Sequence, residues 1–152
     1  MRPVRVIGCG NPDAGDDAAG LVAAEEVARR APDGVEVVLA RDPLRLLDLL
    51  EGARRVIVVD AIRAPDGGRT PGAVIRAEAG PDGLPAAVRS SLSSHGLGIA
   101  ETIGIAAAIG DAPPIVFHGV EAGNVRMGSA MSADVRAALP LLVERVLADA
   151  RP

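Results

Sequence analysis

The sequence predicts a three-layer α/β/α sandwich around a five-stranded mixed sheet, and three observations carry that expectation. Apolar runs of strand length alternate with amphipathic stretches of helix length, the pattern of parallel strands joined by helical crossovers. One run, Val56-Ile57-Val58-Val59, is continuously apolar and β-branched, as suits a strand covered on both faces. The link that follows Asp60 holds only turn residues, Pro65-Asp66-Gly67-Gly68 and Pro71-Gly72. It is too short for a helical crossover, so the next strand must run antiparallel.

The elements follow in order. Strand 1 is Val4 to Ile7, ending in the glycine turn Gly8-Cys9-Gly10-Asn11-Pro12-Asp13-Ala14-Gly15. A helix starts at Asp16, places Leu21, Val22, Ala24, Val27 and Ala28 on an apolar stripe, and stops at Arg29-Arg30 before Pro32. Strand 2 is Val35 to Leu39, followed by a Leu-rich helical segment from Leu44 to Leu50 that Gly52 closes. Strand 3 ends on Asp60, and strand 4 is Ala73 to Ala77. Residues 79–94 read as irregular and lead to His95, after which Leu97, Ile99, Ala100, Ile103 and Ala107 mark a helix to Gly110. Strand 5 is Ile115 to Val120. Ser132 is the expected cap of a terminal helix bearing Val135, Leu139, Leu142, Val143 and Val146.

With right-handed crossovers, the commonest arrangement sets strand 1 between strands 2 and 3. The winding then reverses between strands 1 and 3, and ligands bind outside the carboxyl ends of strands at such a switch point. Asp17 follows strand 1 and Asp60 follows strand 3.

Composition narrows the function. At 152 residues the chain is expected to form one domain, 1–152, with no internal repeat. Phe117 is the only aromatic residue, so Val, Ile, Leu and Ala must build the core. All sixteen basic residues are Arg and they are scattered, the net charge is -4, and a polyanion such as nucleic acid needs clustered positive charge. No apolar stretch approaches the ~20 residues that span a bilayer, and Met1-Arg2-Pro3-Val4 leaves no room for a signal peptide, so the expected location is cytoplasmic. Cys9 is alone, which excludes a disulfide framework, and it reads as a small buried hydrophobe rather than a reactive thiol.

Asp16 and Asp17 open a helix, where unpaired amides and the helix dipole favour negative charge. Capping accounts for one of them and leaves the second to a functional site. Asp60 ends a buried strand, where a carboxylate must be solvated or paired. With His95 these acids form a mixed oxygen and nitrogen ligand set suited to a transition metal such as nickel or zinc. Three protein ligands leave coordination positions open, as in catalytic or substrate-binding sites. The alternative for His95 is a helix-start histidine bonded to a loop carbonyl. His118 alternates with core residues in strand 5 and reads as structural.

The segments Val6-Ile7-Gly8-Cys9-Gly10-Asn11, Gly15-Asp16-Asp17-Ala18-Ala19-Gly20, Val58-Val59-Asp60-Ala61, Ser94-His95-Gly96-Leu97-Gly98-Ile99-Ala100-Glu101 and Gly119-Val120-Glu121 together resemble the hydrogenase maturation endopeptidases. The likeness runs in order over nearly the whole chain. It implies strand order 2-1-3-5-4 with strand 4 antiparallel, and a protease that removes a C-terminal extension from the large-subunit precursor of a nickel–iron hydrogenase after nickel insertion. It further implies that Asp17, Asp60 and His95 are the catalytic and metal-contacting residues, with the nickel supplied by the substrate protein rather than held by the free enzyme. A second reading is a non-catalytic module that binds a nickel-bearing protein tail or a small anion at the glycine loop. That loop lacks the third glycine of a dinucleotide site and any Gly-Lys-Ser/Thr, and two adjacent Asp would repel phosphate.

Two departures from the family pattern stand out. The first-loop acid is Asp17 where relatives often carry Glu, so either the backbone sits closer or Asp16 shares the role. Ala40-Arg41-Asp42-Pro43, after strand 2, lacks the acid-glycine-glycine sequence of some relatives.

Overall fold

A computed structural model describes residues 1–92 and 98–151. Its sheet has five strands, β1 (Val4–Cys9), β2 (Val35–Ala40), β3 (Arg55–Ile62), β4 (Val74–Glu78) and β5 (Ile115–Glu121), in the order β2-β1-β3-β5-β4. The first four in that spatial order pair in parallel, and β4 pairs antiparallel with β5, Ile75 opposite Gly119. This is the expected topology, with β1 between β2 and β3 and the reversal of winding between β1 and β3.

The helices are α1 (Ala19–Arg30), α2 (Leu46–Leu50), α3 (Ala86–Arg89), α4 (Ile99–Ile109) and α5 (Ala133–Ala150). Strand side chains alternate between faces, and the two buried faces have different partners. Val4, Val6, Ile57, Val59 and Val120 pack with Ala23 and Val27 of α1 and with Val135, Leu142, Val143 and Val146 of α5. Ile7, Val56, Val58, Ile62, Ile115 and Phe117 pack on the other face with Leu46 and Leu50 of α2, Val88 of α3 and Ile103 of α4. Phe117 is wholly buried there, and the rest of the core is aliphatic as the composition requires.

Several boundaries differ from the sequence reading. Asp16 and Asp17 lie in a 3-10 turn, Gly15–Ala18, that precedes α1 rather than in the first α-helical turn. A 3-10 turn, Pro43–Arg45, likewise leads into α2. Strand β3 continues two residues past Asp60, because Ala61 and Ile62 keep pairing with Val120 and Glu121. The stretch expected to be irregular contains α3, started by Pro85, whose fixed φ suits a helix entry. Helix α4 begins at Ile99 behind Gly98, whose amide donates to Glu101 at 3.1 Å, and closes at Gly110 with φ 92°. Ser132 precedes α5 as expected, but its side chain caps nothing in that helix.

No described helix is long and apolar enough to cross a membrane.

Candidate active site

Close glycine packing builds the site. Gly20 in α1 lies against the carboxyl ends of both β1 and β3. A Cβ there would collide with the carbonyl oxygens of Cys9 and Val59 and stand 2.9 Å from the Cα of Asp60. Gly8 gives the same clearance from the strand side, since its Cβ would meet the Gly20 carbonyl oxygen at 2.6 Å. The start of α1 therefore sits directly on the strand ends. Gly10, with φ 142°, turns the chain out of β1 in a conformation that L side chains rarely adopt and leaves room for the Asp17 carbonyl. These contacts bring Asp17 beside Asp60.

Both acids line one cleft of about 180 Å³, together with Cys9, Gly10, Asn11, Ala40, Arg41, Pro43, Leu92 and Ile99. Asp17 is half-buried and accepts the Asn11 amide at 3.0 Å. Asp60 is 8% exposed and accepts the Ala61 amide at 2.8 Å. Burial lifts the Asp17 carboxyl above the usual carboxylate range against the opposing pull of that Asn11 bond. Burial lifts Asp60 well above that range, and the neighbouring Asp17 charge adds to it while the Ala61 amide opposes it. Neither acid forms an ion pair among the described residues. Two adjacent carboxyls held in this way favour a proton or an incoming cation.

Asp16 has a different place. It is fully buried and its two oxygens accept the amides of Gly123 at 2.7 Å, Asn124 at 2.8 Å and Ser132 at 2.6 Å, plus the Ser132 hydroxyl at 2.9 Å. Burial alone would raise its pKa, but these four donors together lower it. The helix-capping reading of the Asp pair is thereby corrected. Neither Asp makes a side-chain capping bond at the start of the 3-10 turn or of α1; Asp16 instead clamps the loop after β5 to the turn after β1. The Ser132 hydroxyl serves this clamp rather than α5, because the charged acceptor is the stronger partner. With its oxygens so engaged, Asp16 does not share the cleft with Asp17.

Cys9 lines the cleft at 2% exposure, and burial, then the charges of Asp60 and Asp17, push its thiol well up. It is the buried hydrophobe expected, since a thiolate beside two acids is disfavoured. His118 is also structural. It is buried on β5, and its Nε2 lies 2.6 Å from Asp149 of α5, which Arg76 of β4 grips through Nε at 2.9 Å and Nη2 at 3.1 Å.

His95 lies outside the described residues. Among the described residues no three His, Cys, Asp or Glu side chains converge as a metal cluster. Ser91, just ahead of the undescribed stretch, is held firmly. Ser91 accepts the Arg63 amide through its carbonyl at 2.8 Å, and its hydroxyl accepts from Arg69. Arg69 in turn donates to buried Glu121 at 3.0 Å, and Glu121 also accepts the Ala64 amide at 2.9 Å. Sequence reasoning did not find this brace or the Asp16 clamp. Glu121 stood among the family segments without a role, and a partner 57 positions away leaves no local signal.

A larger depression of about 360 Å³ beside α4, lined by Ala79, Pro81, Ile103, Ala107 and Pro113 among others, carries no titratable side chain. The paired acids lie instead at the switch point.

Comparison with known proteins agrees with this fold. The chain superposes on the hydrogenase maturating endopeptidase HybD from Escherichia coli with a TM-score of 0.80 and 25% identity, over 98% of this chain and 91% of that one. Against the [NiFe] hydrogenase maturation protease HybD from Thermococcus kodakarensis the TM-score is 0.75 at 26% identity, covering 99% and 100%. The HycI protease from the same organism, at 22% identity and a TM-score of 0.74 over 99% and 94%, shares the fold. No curated protein matches the sequence significantly. The family model for hydrogenase maturation protease, HycI, matches residues 26–149, a span that includes Asp60, His95 and Glu121 and begins after Asp17. With that match over most of its length and the same strand order, the chain belongs to the hydrogenase maturation protease family.

Proposed function

We propose that this protein is an endopeptidase that removes the C-terminal extension of a nickel–iron hydrogenase large-subunit precursor once nickel has been inserted. One observation carries the reading: Asp17 and Asp60 share a single cleft at the switch point, both pushed toward protonation by burial and neither in an ion pair among the described residues. Such a pair gains most when the substrate itself delivers the cation. In this reading nickel held by the precursor's cysteines is the recognition handle that Asp17 and His95 contact, and Asp60 beside them is the carboxylate left to act as base.

The chain's own residues then have distinct tasks. Asp17, fixed by the Asn11 amide, and His95 grip the precursor. Asp60, whose carboxyl burial and the Asp17 charge raise above the usual range, is suited to carry a proton. It takes a proton from the water that adds to the scissile carbonyl and returns it to the leaving amine as the carbon–nitrogen bond breaks.

Intact-mass analysis of a co-expressed large-subunit precursor tests the proposal, using nickel-loaded and nickel-free material with the wild-type protein and with His95→Ala. Loss of a C-terminal peptide only from the nickel-loaded precursor, and only with the wild type, is the expected result. Full cleavage by His95→Ala, or of the nickel-free precursor, would sink it.

A further inference from the structure

Asp17 also borders a second depression. A hollow of about 270 Å³ is lined by Asp17, Ile62, Arg63, Ser91, Ala122 and Val125, among others. Its floor is rigid backbone. Ala122 donates to the Ile62 carbonyl at 2.8 Å, Arg63 donates to the Ser91 carbonyl at 2.8 Å, and Ala64 donates to Glu121. Its lining is apolar at Ile62, Ala122 and Val125 and polar at Asp17 and Ser91, and the exposed Arg63 supplies a cation.

Among the described residues the Arg63 guanidinium makes a single hydrogen bond, from Nη2 to the Gly123 carbonyl at 3.2 Å, and pairs with no carboxylate. Its remaining donors form a planar fork that matches a carboxylate in two-point geometry. An extended peptide advances ~3.3 Å per residue. A chain crossing Asp17 therefore enters this hollow within roughly one or two residues of the bond that lies over the acids. We propose that the hollow is a specificity subsite for the precursor's chain beside the scissile bond, seating it on the Ile62, Ala122 and Val125 wall and pairing Arg63 with an acidic side chain of that chain. The assignment rests on the endopeptidase reading and adds a requirement that the acid pair alone does not impose.

The test is steady-state cleavage of nickel-loaded precursor by the wild type, Arg63→Gln and Arg63→Glu. It is repeated on precursors in which each Asp or Glu flanking the cleavage site is changed singly to Lys and whose nickel content is verified. Loss of one charge-assisted contact should raise KM about ten- to hundredfold in Arg63→Glu while kcat stays near the wild-type value. One Lys precursor should restore Arg63→Glu and impair the wild type. Thermal denaturation of the variants should match the wild type, since Arg63 is exposed. An unchanged KM in Arg63→Glu, or a loss that no Lys precursor reverses, overturns the subsite while cleavage by the wild type leaves the endopeptidase reading intact. A wild type that cleaves no nickel-loaded precursor overturns both.

Discussion

The carboxylate of Asp16 accepts both the amide and the hydroxyl of Ser132, at 2.6 and 2.9 Å, across 116 positions of sequence. This contact closes the loop after β5 onto the turn that carries Asp17. It separates two adjacent acids into a structural anchor and an open group in the cleft.

Replacing each acid should separate stability from activity. Asp16→Ala leaves the partly buried Gly123, Asn124 and Ser132 amides without their acceptor, and should cost about 1–3 kcal/mol, the range for losing a hydrogen-bonded buried partner. Asp17→Asn, at a half-exposed position, should change stability by less than about 1 kcal/mol. It should lower cleavage of nickel-loaded precursor by roughly a hundredfold or more. Urea denaturation alongside precursor cleavage checks the pair; equal destabilisation by both would contradict the division of roles.

Asp60 should make the free protein more stable in acid than its other carboxylates would suggest. Its folded pKa lies above its unfolded value, so the folded state holds the proton more tightly. Its contribution is complete below the unfolded value of 3.8 and is lost as pH rises through the raised folded value. Asp60→Asn, which keeps an oxygen for the Ala61 amide, should therefore be more stable than wild type at neutral pH by about 0.5–2 kcal/mol while inactive. Denaturant midpoints from pH 4 to 8, an interval of about four units, should show the two proteins converging toward the acidic end.

Gly20→Ala tests the close approach that assembles the cleft. The added methyl would meet the Cys9 and Val59 carbonyls, which are sheet backbone and cannot yield cheaply. A loss of about 1–3 kcal/mol is expected from overpacking, together with reduced cleavage in the fraction that folds. Thermal melting and activity should fall together, unlike in the Asp17 variant.

His118 supplies a second pH effect of opposite sign. Burial holds its pKa below the ordinary 6.5, against the pull of Asp149, so the folded state disfavours the charged ring. Stability should be retained above 6.5 and decline as pH falls from there toward the lower folded value. In His118→Gln that decline should be shallower, as measured by hydrogen exchange of β5 amides or by denaturant midpoints at pH 7 and about 5.5.

The sequence by itself determined the strands, the helices that alternate with them and the sheet's handed winding. Val56–Val59 could only be a covered strand because its side chains are apolar on both faces. The short link after Asp60 could only return antiparallel because no crossover fits in it. Those facts also placed Asp17 and Asp60 at the same edge of the sheet, since both follow parallel strands at the point where the winding reverses.

The family likeness pointed to Asp17, and only the tertiary structure decided that its neighbour Asp16 does not share the cleft. Asp16 and Asp17 are alike in type and local position, and their difference lies in donors more than a hundred residues away. The Glu121–Arg69–Ser91 brace and the hollow beside Arg63 were hidden for the same reason. Periodicity and turn chemistry are local properties of a chain, whereas a carboxylate's partners are chosen by packing, after distant loops have been brought together.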